Sequence, residues 1–111
     1  MSQTTIDAAV FSELQDTAGA EFVAELVATF FEEAPQMLAD LRDALTLRDA
    51  ERFRRAAHSL KSNSHTFGAM QLGQLARELE LGGLCDDAAR LVALDAEYAR
   101  VVAALKESIR E

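Results

Sequence analysis

From Phe22 to Leu45, apolar side chains return at every third or fourth position: Phe22, Val23, Leu26, Val27, Phe30, Phe31, Ala34, Met37, Leu38, Leu41, Ala44 and Leu45. That spacing keeps one face of an α-helix apolar for about six turns, whereas a strand, whose faces alternate at every residue, has no use for it. Pro35 falls inside the run without shifting its phase. A kink with one lost backbone hydrogen bond to Phe31 is therefore expected there, and not a boundary between domains. The same three-and-four recurrence fills the rest of the chain, and no segment alternates over the length of a strand. The fold class that follows is all-α.

The boundaries of the other helices come from their capping residues. A short first helix is expected from Asp7, which can serve as its N-cap, through Val10, Phe11 and Leu14 to about Gln15, ahead of Gly19. A third helix follows Asp49 as N-cap and runs to about Phe67, with Gly68 free to take the left-handed conformation just beyond its end. A fourth carries Leu72, Leu75, Ala76 and Leu79 and stops at Gly82-Gly83. The last, capped by Asp86 or Asp87, carries Ala89, Val92, Tyr98, Val101, Val102, Leu105 and Ile109. Four substantial amphipathic helices on short connections favour an antiparallel up-and-down four-helix bundle with a short additional N-terminal helix. A chain of 111 residues suits one such domain, spanning residues 1–111, with one core.

Charge and composition then remove several functions. A formal net charge of −8 repels nucleic acid and anionic membranes, so neither is an expected partner. Cys85 is the sole cysteine. It can form no internal disulfide or thiolate cluster and is expected to be a small buried or half-buried apolar side chain. The N-terminal stretch from Met1 to Phe11 lacks the basic start of a secretory signal, and no apolar stretch approaches the ~20 residues that span a bilayer, so a cytoplasmic location is expected. The five glycines form neither a phosphate-binding loop nor a dinucleotide turn, so the chain is expected to hold no ATP and no cofactor. Charge and size point to a monomer.

Against that acidic background, residues 54–69 (RRAAHSLKSNSHTFGA) contain no acid, and none occurs between Glu51 and Glu78. At about 100° per residue, Phe53, Ala56, Ala57, Leu60 and Phe67 gather on one side of the third helix. His58 is then turned away from the core, in company with Arg54, Arg55, Lys61, Ser62 and His65. Ordinary solvated surface explains each of these residues singly, but explains less well why every charge on the face has one sign. A metal site is disfavoured, because His58 and His65 stand about 10.5 Å apart along the axis while helical ligands sit three or four residues apart. Nucleophilic hydrolysis is weaker still, as no serine or cysteine has an evident base beside it.

The segment AAHSLKSNSHTFGA, followed by LGQLARELE, resembles the histidine-containing phosphotransfer (Hpt) family of phosphorelays, whose core reads approximately A-x-x-H-x-L-K-G-x-S-x-x-x-G-A before a leucine-rich helix ending in L-E. Ala56 or Ala57, His58, Leu60, Lys61, Ser64, Gly68, Ala69, Leu72, Leu75, Leu79 and Glu80 occupy those places without a gap. Upstream, FFEEAPQMLADLRDAL is similar to the family's F-x-x-E-A-P-x-x-L-x-x-L-x-x-A-L helix, so the resemblance extends over about residues 7–109.

The resemblance implies that His58 accepts a phosphoryl group from the aspartate of one receiver domain and passes it to another. It also implies that Lys61 is the main phosphate partner. Arg54 and His65 are this chain's own candidate helpers. An unperturbed imidazole titrates near ~6.5, which leaves a large neutral fraction for attack. Position 62, one turn from His58, is usually glycine in the family, and Ser62 here tightens access while offering a hydroxyl to the phosphoryl oxygens. A chain reversal near Ala69 sets residues whose numbers add to about 138 side by side, which pairs His58 with Glu80. A carboxylate there would hold the Nδ1 proton and leave Nε2 as the nucleophile; Glu80 pairing with Arg77 is the equal alternative. The implied partners are response-regulator receiver domains and a hybrid sensor histidine kinase, with Mg²⁺ confined to the receiver and no kinase activity in this chain. A helical adaptor that binds receivers or other acidic partners through the basic face, unphosphorylated, is the alternative function, and intrinsic phosphohistidine hydrolysis with Glu80 as base ranks third.

Overall fold

The computed structural model describes residues 5–84 and 88–110. Within them the chain forms α1 (Ala8–Ala18), α2 (Ala20–Leu47), α3 (Ala50–Thr66), α4 (Met70–Gly82) and α5 (Ala89–Arg110), and no strand. The expected positions of Cys85, and of Asp86 or Asp87 as a cap, lie outside the described residues. α3 packs between α2 and α4, and α5 closes the ring against both. Among the described residues, the backbones of the diagonal pairs α2 with α4 and α3 with α5 do not meet. This is the arrangement of an up-and-down bundle. α1 lies across α2 and α3 at one end. No helix among the described residues is long and apolar enough to cross a membrane.

Local chemistry sets the helix ends. The Asp7 carboxylate accepts from Ala9 N at 3.0 Å and Val10 N at 3.4 Å, so it caps α1, which runs to Ala18 and is longer than its expected end at Gln15. Asp49 caps α3 by accepting from Arg52 N at 3.1 Å. α2 continues unbroken through Pro35, since the proline takes away one donor while the apolar face on either side keeps its partners. The turn after α2 places Arg48 at φ 57°, a left-handed conformation that nothing in a lone arginine announces. The turn after α3 uses Gly68 at φ 81°.

The α2 stripe is buried at Val23, Val27, Phe30, Ala34, Leu38, Leu41 and Ala44. It meets Phe53, Ala57 and Leu60 of α3, Leu72, Ala76 and Leu79 of α4, and Leu94, Val101 and Leu105 of α5 in one core. Burying each large apolar side chain stabilises the fold by about 1.5–3 kcal/mol. Phe30 anchors an aromatic group, with Phe67 at a centroid distance of 5.3 Å and Tyr98 edge-on at 5.9 Å. Four residues of the expected apolar stripes are instead on the surface: Phe22 is 52%, Val92 65% and Ile109 37% exposed, and Ala89 is exposed as well. Phe22 lies at the edge of the α2 stripe near the start of that helix, and Val92 falls about half a turn away from buried Val101, on the outer side of α5.

Ion pairs orient the helices around this core. Arg42 pairs with Asp95 between α2 and α5, and Arg52 of α3 reaches Asp40 at 2.9 Å and Asp43 at 3.5 Å on α2. Glu97, buried on α5, is compensated by Arg100 at 2.8 Å.

Gly68 combines a left-handed backbone with a close approach to the backbone of another segment. Its carbonyl accepts from Asp7 N at 2.8 Å, and a Cβ at this position would come within 2.9 Å of Asp7 O. Gly68→Ala therefore combines left-handed backbone strain with a backbone clash. It is expected to lower stability by about 2 kcal/mol or more, read as a reduced urea midpoint with an unchanged slope.

Candidate functional site: the outer face of α3 and the edge of α4

The turn at Phe67–Ala69 folds α4 back along α3, and the numbering of facing residues follows from it. His58 lies opposite Glu80, and its Nδ1 is 2.7 Å from Glu80 Oε2. The same register lays the ring of His65 on Gly73, where a Cβ would come within 2.4 Å of the imidazole Cδ2 and Nε2. Phe53, Ala57 and Leu60 are buried on the inner side of α3, so the outer side must present His58, whose side chain is 56% exposed.

Glu80 is the centre of this site. While Oε2 faces the His58 ring, the Lys61 ammonium stands 2.7 Å from Oε1, and the Glu80 side chain is only 13% exposed. Oε1 is buried and receives no well-directed hydrogen bond, so its contact with Lys61 is ionic. Lys61, foremost, and then the His58 ring hold the Glu80 carboxyl below its usual range, against the opposing effect of burial. A carboxylate on Nδ1 selects the tautomer with its proton on that nitrogen, which leaves Nε2 with the lone pair. Nε2 has no hydrogen-bond partner among the described residues. Arg77, the alternative partner of Glu80, is not the one the structure brings to it.

The other candidates are arranged differently. Arg54 turns to Glu51, at 2.9 Å, and Arg55 approaches the same oxygen at 3.9 Å. Arg54 is thus engaged one turn before His58 and does not reach the ring. Ser62 is exposed, with no protein hydrogen bond to its hydroxyl among the described residues. His65 rests on α4 and does not join His58. The one-signed face of the linear sequence is therefore mixed in space, because Glu51 enters from the start of α3 and Glu80 from α4. Sequence reasoning missed Glu51, although its three- and four-residue spacing to Arg54 and Arg55 is the usual helical pairing. It also missed Gly73, which the register pairing His58 with Glu80 places opposite His65. Among the described residues, no three His, Cys, Asp or Glu side chains converge as a metal site would need.

The model of the Hpt domain family matches residues 25–104. Among solved structures, the chain is similar to the crystal structure of histidine-containing phosphotransfer protein B (HptB) from Pseudomonas aeruginosa PAO1. The TM-score is 0.82 at 30% identity, over 98% of this chain and 97% of that one. No curated protein sequence matches.

The carboxylates of Glu80 and Asp40, the latter lowered chiefly by Arg52, make stability pH-dependent. Their stabilisation is complete above the ordinary carboxyl values of 4.5 and 3.8 and is lost as pH falls through the lower values of the folded state. Urea unfolding as a function of pH should therefore show stability declining below about pH 5, with a shallower decline in Glu80→Gln.

Proposed function

This chain belongs to the Hpt family, and from that premise we propose that His58 is the phosphoacceptor of a phosphorelay step, taking its phosphoryl group from the aspartate of one receiver domain and giving it to another. Histidine phosphotransfer in two-component phosphorelays is the family's role. Its members interact with receiver domains and are not kinases. The observation that carries the assignment is the 2.7 Å contact of His58 Nδ1 with Glu80 on a ring that is 56% exposed.

In the proposed step the Nε2 lone pair attacks the phosphorus of the aspartyl phosphate. The P–N bond forms as the P–O bond breaks, and the electron pair returns to the aspartate carboxylate. The Nδ1 proton stays on the ring beside Glu80, which balances the positive charge that the ring acquires. Onward transfer reverses this sequence, and the neutral imidazole departs still bearing its Nδ1 proton. The receiver supplies Mg²⁺ and this chain supplies the nucleophile, with no cofactor and no ATP site of its own. A hybrid sensor histidine kinase as upstream source, a cytoplasmic setting and a monomeric state belong to the same reading.

Access supports it as well. Ser62, one turn beyond His58, is exposed and small, although it is bulkier than the family's usual glycine. On the α2 side, an open groove of ≈ 360 Å³ is bordered by Met37, Arg55, Ala56, Ser59 and the Asp40–Arg52 ion pair, beside the helix that carries His58. The rim there is more polar than a purely apolar docking face, as suits a transient encounter.

Incubation with a phosphorylated receiver should give an acid-labile, alkali-stable label on wild type that is absent from His58→Gln. Receiver binding without label in the wild type would instead favour the adaptor role. Ser62→Tyr should slow transfer by about tenfold or more while leaving the urea midpoint in place, because it obstructs approach without touching the core.

A further inference from the structure

Lys61 makes its close contact with the same carboxylate that holds His58, through the other oxygen. We propose that Lys61 is a positioning residue that acts on His58 through Glu80: by neutralising the carboxylate it keeps the imidazole uncharged, and so sets the lower pH limit for phosphoryl acceptance. The proposal rests on His58 being the acceptor and deepens that reading, giving Lys61 a task before any phosphoryl group arrives.

An uncompensated carboxylate at hydrogen-bond distance favours a protonated imidazole. Protonation would consume the Nε2 lone pair on which the attack depends. The hydrogen bond that selects the productive tautomer would therefore, by itself, also deactivate the nucleophile. A cation on the far oxygen removes that conflict, since the carboxylate still accepts from Nδ1 while its net field at the ring is reduced. Lys61 is well placed for this, with a side chain only 24% exposed and little water between its charge and that of Glu80. The low Glu80 carboxyl value, set first by Lys61, accords with this pairing.

The surrounding charges do not duplicate the effect. On α3, Arg54 and Arg55 are turned to Glu51, and His65 lies over Gly73. On α4, Glu78 accepts from Gln74 at 3.4 Å, and Arg77 is not an ion-pair partner of Glu80. On α2, Asp40 and Asp43 are answered by Arg52. Lys61 is the cation in contact with the carboxylate that touches the ring.

An NMR titration of the His58 ring in the full chain, together with the pH profile of acceptance from a phosphorylated receiver, tests the proposal. Lys61→Met should raise the ring's titration midpoint by about one pH unit and move the acid limb of acceptance, relative to wild type, upward by the same amount. In Lys61→Met/Glu80→Gln the midpoint should return to the wild-type value or below it, and Lys61→Gln serves as a second neutral variant should the methionine disturb folding. A midpoint shift of less than about a third of a unit, or a rise that persists undiminished in the Glu80→Gln background, overturns the proposal. So does a rate loss that is uniform across pH with an unmoved acid limb, the pattern of a lysine that only binds phosphate. Absence of label on wild-type His58 would remove the underlying acceptor assignment, an outcome that the ring titration reads separately.

Discussion

The Glu80 carboxylate divides its two oxygens between two side chains of the neighbouring helix, and the chemistry of the site depends on that division. Oε2 orients the His58 ring and Oε1 engages Lys61, each at 2.7 Å. These contacts exist only because α3 and α4 are held in one register. Leu60, Leu72 and Leu79 fix it from the core, and the Gly68–Ala69 turn fixes it from the end. A slip by one residue along either helix would turn its side chain by about 100° and separate all three groups. The bundle thus serves the site by enforcing an angle and a height, and the N-terminal segment contributes by donating from Asp7 N to the carbonyl of Gly68.

Electrostatics in this protein is decided at the scale of single pairs. The net charge of −8 describes how the whole molecule meets polyanions, but it says little about the field at His58. There, Arg54 and Arg55 face Glu51, and Lys61 faces Glu80. A nucleophile that must remain neutral and then carry a dianion benefits from cations that are present but already paired with carboxylates, since such a cation offsets its carboxylate before transfer and can reorient toward new negative charge afterwards. An unbroken positive patch would favour the phosphorylated state alone.

The helical architecture was legible in the chain because burial of one face repeats with the helix period. The stripe through α2 retained its phase across Pro35, and Asp7, Asp49 and Gly68 stand at helix ends for reasons written in their own side chains. Phe22 shows where that legibility stops, since periodicity says which face of a helix is apolar but not how much of it a neighbouring helix covers, while Val92 is an apolar residue outside the face that α5 buries. Arg48, in a left-handed turn usually given to glycine, is a second such case, because its conformation is imposed by the helices on either side. In the site, the outward direction of His58 followed from its angle to Phe53, Ala57 and Leu60, and its opposition to Glu80 followed from assuming a reversal near Ala69. The engagement of Arg54 with Glu51 and the seat of His65 on Gly73 did not follow from the face-by-face reading.

The sequence by itself determined the period of the apolar face, the capping residues and the presence of outward imidazoles among cations, because each is a property of residues close together along one helix. Only the tertiary structure decided that Glu80 turns to the His58 imidazole and not to Arg77, which cation answers the carboxylate and which basic residues are already engaged. Those outcomes depend on the height at which two helices pack, a quantity set by many core contacts acting together and written in no single segment of the chain.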